Sequence, residues 1–251
     1  MQTHTPEGKY RVAMAGRSVM RQWFQYRNYP PVLSRYAVRF PWPIPWREYA
    51  KEDFHFRYVQ IVQPDPEGPV DAYGREALAA LRRQVGGERF DALFFKLCYI
   101  DFRDRRLRDD GTRKELLGRM QTLLEKVHAF ARERGMALLL GNALPVQAPT
   151  EHGQRLRREY NAWLAEYGAK HGDVAVFDQF GLLTDDAGRL RRDFARGRFD
   201  NHLNDRAYAV LEEALFRTLA GLRRKRKEVT GPAPGADASA STAPAASPGT
   251  P

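Results

Sequence analysis

The sequence predicts an α/β fold, a three-layer sandwich built on a central, mostly parallel five-stranded sheet, and three observations carry that reading. Apolar runs of strand length alternate with amphipathic segments of helix length along most of the chain. The stretch Asp91 to Ile100 (Asp-Ala-Leu-Phe-Phe-Lys-Leu-Cys-Tyr-Ile) is apolar almost throughout, as a strand covered on both faces must be. Near the front, Tyr10 to Val19 reads Tyr-Arg-Val-Ala-Met-Ala-Gly-Arg-Ser-Val, an apolar strand that ends in a glycine and delivers Ser18 to the start of a helix. Parallel strands need helix-length, right-handed crossovers, and the alternation supplies them.

Taken in order, strand Tyr10 to Gly16 leads into a short helix, Arg17 to Arg27, with Val19, Met20, Trp23 and Phe24 on its inner face. Residues 28–55 then bring Pro30, Pro31, Pro41, Pro43 and Pro45 among Tyr29, Tyr36, Phe40, Trp42, Trp46 and Tyr49. That density of proline predicts an irregular aromatic insertion beside the site, either a flap over the core or a wall of a substrate pocket. Contact with a membrane surface is a third reading of it. A second strand is expected over Phe56 to Val62, then a proline-glycine loop and a helix from about Val70 to Gln84. The run ending at Ile100 is the third strand, with Asp101 at its C-terminal end. The helix from about Thr112 to Arg134 carries the stripe Leu116, Leu117, Met120, Leu123, Leu124, Val127 and Phe130. Met136 to Leu140 is the fourth strand, Glu151 to Lys170 a helix, and Val174 to Phe177 the fifth strand, ending at Asp178. A loop rich in Asp, Gly and Arg spans Gln179 to Phe199, and Asn204 to Leu222 forms the last helix.

The domain is therefore expected over 10–222, after a short leader (1–9) and before a basic junction and disordered tail (223–251) whose Ala, Pro, Ser and Gly cannot bury enough surface to offset ordering. At 251 residues and 43% hydrophobic, the chain can bury one sizeable core. No apolar run approaches the roughly 20 residues of a membrane span, and the first nine residues lack the hydrophobic core of a secretory signal, so the expected compartment is the cytoplasm. The lone cysteine, Cys98, excludes a disulfide framework and any multi-cysteine zinc site.

Lys and Arg number 41 against 31 Asp and Glu, a net charge of +10 that favours polyanionic partners. The clusters are Arg103, Arg105, Arg106 and Arg108; Arg155, Arg157 and Arg158; Arg189, Arg191 and Arg192; and Arg223 to Lys227. They are scattered, and no nucleic-acid recognition module with a sequence signature is present, so nucleic acid ranks below a small-molecule partner.

In an open α/β sheet, ligands bind beyond the carboxyl ends of the strands. Ser18, Asp101, Asn142 and Asp178 stand at four such ends, joined by Asp200-Asn201-His202-Leu203-Asn204 before the last helix. A serine, an imidazole and a carboxylate are what acyl transfer needs: a nucleophile, a base for its proton, and an anion that orients and stabilises the imidazolium. Of six histidines, His202 alone sits in a polar loop between an acid and a helix start. Taken singly, Ser18 reads as a helix N-cap before a nucleophile, and Asp200 reads equally as a cap; the combination points to chemistry.

These residues resemble the SGNH hydrolases, also called GDSL-type esterases and lipases. The family's first block, a strand followed by Gly-Asp-Ser, is matched by Gly16-Arg17-Ser18-Val19, and its last block, an Asp just before a His, by Asp200-Asn201-His202-Leu203-Asn204. Arg158 to Leu164 and the strand ending in Phe177-Asp178 resemble the elements before that last block, and the likeness spans about Tyr10 to Leu222. It implies a flavodoxin-like sheet, Ser18 as nucleophile, His202 as general base and then acid, Asp200 as the orienting carboxylate, and no metal or organic cofactor. Its implied substrate is a small-molecule or glycan-linked acyl ester.

The departures are specific. Arg17 replaces an aspartate, Asp200 precedes His202 by two residues where three is commonest, and Cys98-Tyr99-Ile100-Asp101 aligns with Gly-x-Asn-Asp, so Ile100 replaces the oxyanion asparagine. Gly68 and Gly74 are candidates for the second-block glycine. Asn142 is placed to reach inward as a substitute donor, and Arg17 is placed to bind an oxyanion or an acidic substrate group or to pair with Asp101. Cys98 reads as a small buried residue rather than a second nucleophile. Two further function classes stand beside the hydrolase: an SGNH-like domain of weak or no activity that binds a glycan or acidic ligand, and a nucleic-acid-binding α/β protein whose affinity falls steeply with salt.

Overall fold

The computed structural model describes residues 8–28, 47–62, 64, 73–102, 107–198 and 200–230. Its elements are β1 (Tyr10–Gly16), α1 (Ser18–Asn28), β2 (Glu48–Lys51), β3 (Phe54–Gln60), α2 (Arg75–Val85), β4 (Ala92–Lys96), a single 3₁₀ turn (Tyr99–Phe102), α3 (Asp110–Glu133), β5 (Ala137–Gly141), α4 (Glu151–Lys170), β6 (Val174–Phe177), α5 (Gln179–Leu183), β7 (Ala195–Gly197), β8 (Asp200–Leu203) and α6 (Asp205–Thr230). Six strands form the main sheet in the order β2-β3-β1-β4-β5-β6, and β7 and β8 pair as a separate antiparallel ribbon. All main-sheet pairings are parallel except β2 with β3.

Side chains alternate across the central strands and divide the interior in two. Val12 and Met14 of β1, with Phe94 of β4, face α1 and α6, where Trp23, Phe24, Leu211 and Leu215 lie buried. Ala13 and Ala15, with Leu93 and Phe95, face α2, α3 and α4 through Leu81, Met120, Leu123 and Leu156. Both faces of β1 and β4 are therefore covered, which is why their sequences carry no polar stripe.

Because β1 is followed in sequence by a neighbour on one side (β3) and then by one on the other (β4), the crossovers diverge at β1 and open a crevice beyond its carboxyl end. Ser18 stands at that point.

The observed fold is the expected three-layer α/β sandwich, with four adjustments. The sheet has six strands rather than five, because β2 and the start of β3 lie inside the stretch read as an irregular insertion; residues 29–46 of it lie outside the described residues. Glu52, in the left-handed region at φ 52°, and Asp53 make the tight β2–β3 turn. The third expected strand stops at Lys96: the Cys98 N–H donates to Asp101 Oδ2 at 2.7 Å and the Asp101 N–H to the Cys98 carbonyl at 3.0 Å, curling the chain into the 3₁₀ turn. The loop from Gln179 contains α5 and β7. The last helix continues past Leu222 to Thr230, so the first part of the basic junction is helical; the tail from 231 lies outside the described residues.

Candidate active site

Ser18 is held by a strand-to-helix corner of minimal length. Gly16 closes β1, and the Arg17 carbonyl already accepts from the Arg21 N–H at 2.9 Å, so α1 begins within two residues of the sheet. A Cβ on Gly16 would lie 2.8 Å from Met20 Cβ, closer than the corner permits. The Ser18 amide is among the first-turn N–H groups that a helix leaves unpaired, and the helix dipole adds positive potential there.

His202 and Asp200 come from β8, directly before α6. His202 Nε2 lies 3.3 Å from Ser18 Oγ, and His202 Nδ1 lies 2.6 Å from Asp200 Oδ1. The spacing of two works because Asp200 Oδ1 also accepts the His202 backbone N–H at 2.9 Å, a local ring that turns the carboxylate back onto its own imidazole. Burial raises the Asp200 carboxyl, but the hydrogen bonds from the His202 backbone and ring, with the charges of His202 and Arg196, outweigh it and hold the group below the usual carboxylate range. An ionised Asp200 fixes the proton on Nδ1 and leaves the Nε2 lone pair facing the serine.

The floor is made by the end of β4. Cys98, buried, has its Sγ 3.6 Å from Ser18 Oγ. Asp101, 4% exposed, accepts the Cys98 N–H through one oxygen and the Arg17 guanidinium at 2.9 Å through the other. Burial pushes the Asp101 carboxyl upward against these partners. Arg17 is thus committed to an ion pair that ties the Ser18 corner to the β4 turn. Ile100 points outward at 46% exposure, whereas Tyr99 turns in: its hydroxyl lies 3.4 Å from His202 Nε2 and its ring stands edge-on to the imidazole. Nothing in the composition singles out Tyr99; which residue of the turn faces inward is set by the 3₁₀ geometry.

Asn142 does not supply the donor expected of it. Its amide donates to Asp178 Oδ1 at 2.6 Å, its side-chain oxygen accepts the Phe180 N–H at 2.9 Å, and its carbonyl accepts from Gln179 Nε2. These bonds build the β5 and β6 corners rather than reach Ser18. Gly74 caps α2 at φ 73° against Leu123, while Gly68 lies outside the described residues. A residue that the sequence reading passed over is Gln147: its side chain donates to the carbonyls of Gly197 and Asp200, both at 2.8 Å, and its N–H to Asn201 Oδ1 at 2.9 Å, strapping the β7–β8 ribbon to the sheet.

Among the described residues, one trio has metal-ligand chemistry. His128, His171 and Asp173 bring donor atoms within 4.8 Å of one another before β6, at the sheet edge opposite Ser18. His128 is already satisfied by Tyr167 at 2.8 Å and Asp173 at 3.1 Å, and Arg132 lies 3.7 Å from the same carboxylate. His171 meets the rings of His128 and Tyr167 instead, so the trio is held together by hydrogen bonds at His128 and ring contacts at His171.

The element order and parallel sheet are those of the SGNH, or GDSL-type, hydrolase fold, which solved structures share. A GDSL-like lipase from Bacteroides thetaiotaomicron superposes with a TM-score of 0.56 at 12% identity, covering 89% of this chain and 92% of its own. A Bacteroides fragilis protein assigned as an acylhydrolase gives 0.57 at 14% identity over 87% and 90%. A member of the lipolytic G-D-S-L family from Veillonella parvula gives 0.53 at 14% over 84% and 98%. No family model and no curated protein matches the chain by sequence. Among the described residues, no helix is long and apolar enough to cross a membrane.

Proposed function

We propose that the protein is a serine ester hydrolase of the SGNH type, acting on a small-molecule or glycan-linked acyl ester through an acyl-enzyme on Ser18. The observation that carries this reading is the relay Ser18 Oγ to His202 Nε2 at 3.3 Å and His202 Nδ1 to Asp200 at 2.6 Å. As Ser18 Oγ attacks the acyl carbon, Nε2 takes its proton and Asp200 stabilises the imidazolium; Nε2 then returns the proton to the departing alkoxide. Water repeats the sequence on the acyl-enzyme and releases the acid. The step draws on no metal or organic cofactor. A cytoplasmic setting belongs to the same proposal.

Two observations weigh against the other function classes. Arg17, which on a ligand-binding reading would meet an acidic group, is engaged with buried Asp101. Several of the clustered arginines are engaged within the chain: Arg155 with Asp110 and Glu151, Arg189 with Asp185, Arg191 with Asp193, and Arg157 buried against the Leu144 carbonyl. Hydrolysis of short-chain aryl esters by the purified full chain tests the proposal. Turnover that disappears in Ser18→Ala is expected; turnover unchanged in that variant would overturn it.

A further inference from the structure

The proposed chemistry leaves one need unmet. The carbonyl oxygen of the substrate becomes an oxyanion on attack, and a lone backbone N–H at Ser18 is thin support for it. In the aligned motif the side-chain donor would come from position 100, but Ile100 has no donor and faces solvent.

The residue before it has the donor and the direction. The Tyr99 hydroxyl and Ser18 Oγ both lie beside one atom, His202 Nε2, at 3.4 Å and 3.3 Å. With Nδ1–H committed to Asp200, Nε2 offers a single lone pair, so the two hydroxyls cannot both donate to it in line. Once Nε2 has taken the serine proton it is an N–H and accepts from neither. At that moment the Tyr99 O–H has no acceptor on the ring and can turn to an acceptor on a substrate bound at Ser18.

We propose that the Tyr99 phenol donates the side-chain hydrogen bond to the tetrahedral oxyanion, in place of the asparagine that the resembling family carries one position later. The proposal rests on the Ser18 hydrolase reading. The backbone around the phenol is pinned: buried Arg157 donates to the Tyr99 carbonyl at 3.5 Å and to the Leu144 carbonyl at 3.0 Å, and Asp101 holds the Cys98 N–H. Burial, reinforced by the charges of Cys98 and Asp200, pushes the Tyr99 hydroxyl up to about 12, so it keeps its proton throughout the working range.

Steady-state kinetics of the full chain, Tyr99→Phe and Ser18→Ala on a short-chain aryl ester separate the two levels of the argument. The expected result for Tyr99→Phe is a kcat lower by about 10²–10³-fold, the loss typical of one oxyanion donor, with KM changed by no more than about threefold. Its melting temperature should match that of the parent chain, and fluorophosphonate should still label it to completion, only more slowly. A kcat within about threefold of the parent, or a loss of labelling accompanied by a fallen melting temperature, overturns the role of Tyr99. Activity surviving in Ser18→Ala instead overturns the hydrolase reading beneath it.

Discussion

Replacing Lys96 with methionine should make the protein more stable. Lys96 lies on β4, 1% exposed, opposite Gly141 of β5, and its Nζ has no hydrogen-bond partner among the described residues. A Cβ on Gly141 would stand 2.8 Å from Lys96 Cβ, which leaves the stem little room to swing out. Burial, with Arg17 adding to it and the charges of Cys98 and Asp101 opposing it, lowers the ammonium from 10.5 to about 8. At 1.36 kcal/mol per pH unit, that gap of about 2.5 corresponds to roughly 3 kcal/mol. The sign follows from proton counting. Between pH 8 and 10.5 the unfolded amine keeps its proton and the folded one has released it, so stability rises with pH across that window. Below pH 8 both states are protonated and the fold carries the full cost of a buried, unpaired charge. Lys96→Met is close in length and apolar, and should add about 2–3 kcal/mol at pH 7. The advantage should narrow by roughly 2 kcal/mol at pH 9.5. Urea unfolding of both proteins at the two pH values measures this, and the tyrosines that titrate higher cancel in the difference. A variant less stable than the parent at pH 7, or an advantage that ignores pH, would refute the reasoning.

Three other substitutions separate the roles assigned to the site and its frame. Asp200→Asn should lower kcat by about 10³-fold or more with the fold intact, since an amide cannot hold the imidazole tautomer or stabilise its charge; kcat and far-ultraviolet circular dichroism check it together. Gly74→Ala combines a left-handed φ of 73° with a Cβ 2.5 Å from Leu123 Cδ1, and should cost about 2–4 kcal/mol in urea unfolding. Gln147→Ala removes two side-chain bonds to the ribbon that carries His202, and should reduce kcat by about tenfold while shifting the melting temperature by only a few degrees.

Most of the fold was legible because burial leaves a pattern. The two-sided burial of β4, β5 and β6 and the helical stripes of α3 and α4 appear directly as apolar runs and periodicities. What escaped the reading is structure held by other means. In β2 only Tyr49 is buried among four residues, so its pairing with β3 leaves no alternation to see. The β7–β8 ribbon is polar and held by Gln147 and Asn204. The charge run after Leu222 suits a helix as well as a coil, because Arg and Lys are good helix formers. In the site, Ser18 and the Asp200–His202 pair were visible because each depends on a local spacing. Asn142 was misplaced, and Tyr99 went unread, because side-chain direction at the end of a strand depends on how the chain turns there: Asp101 curls Tyr99 inward, and Asp178 with Phe180 claims Asn142.

The account stands or falls on whether Ser18 is the nucleophile. Treating the full chain with a fluorophosphonate, digesting with trypsin and weighing the peptides locates any adduct, and the peptide Ser18–Arg21 separates this serine from Cys98 and every other residue. The account predicts one stoichiometric adduct on Ser18–Arg21, absent in Ser18→Ala and strongly slowed in Asp200→Asn. An adduct on another peptide, or an unmodified Ser18–Arg21 after prolonged treatment, would contradict it.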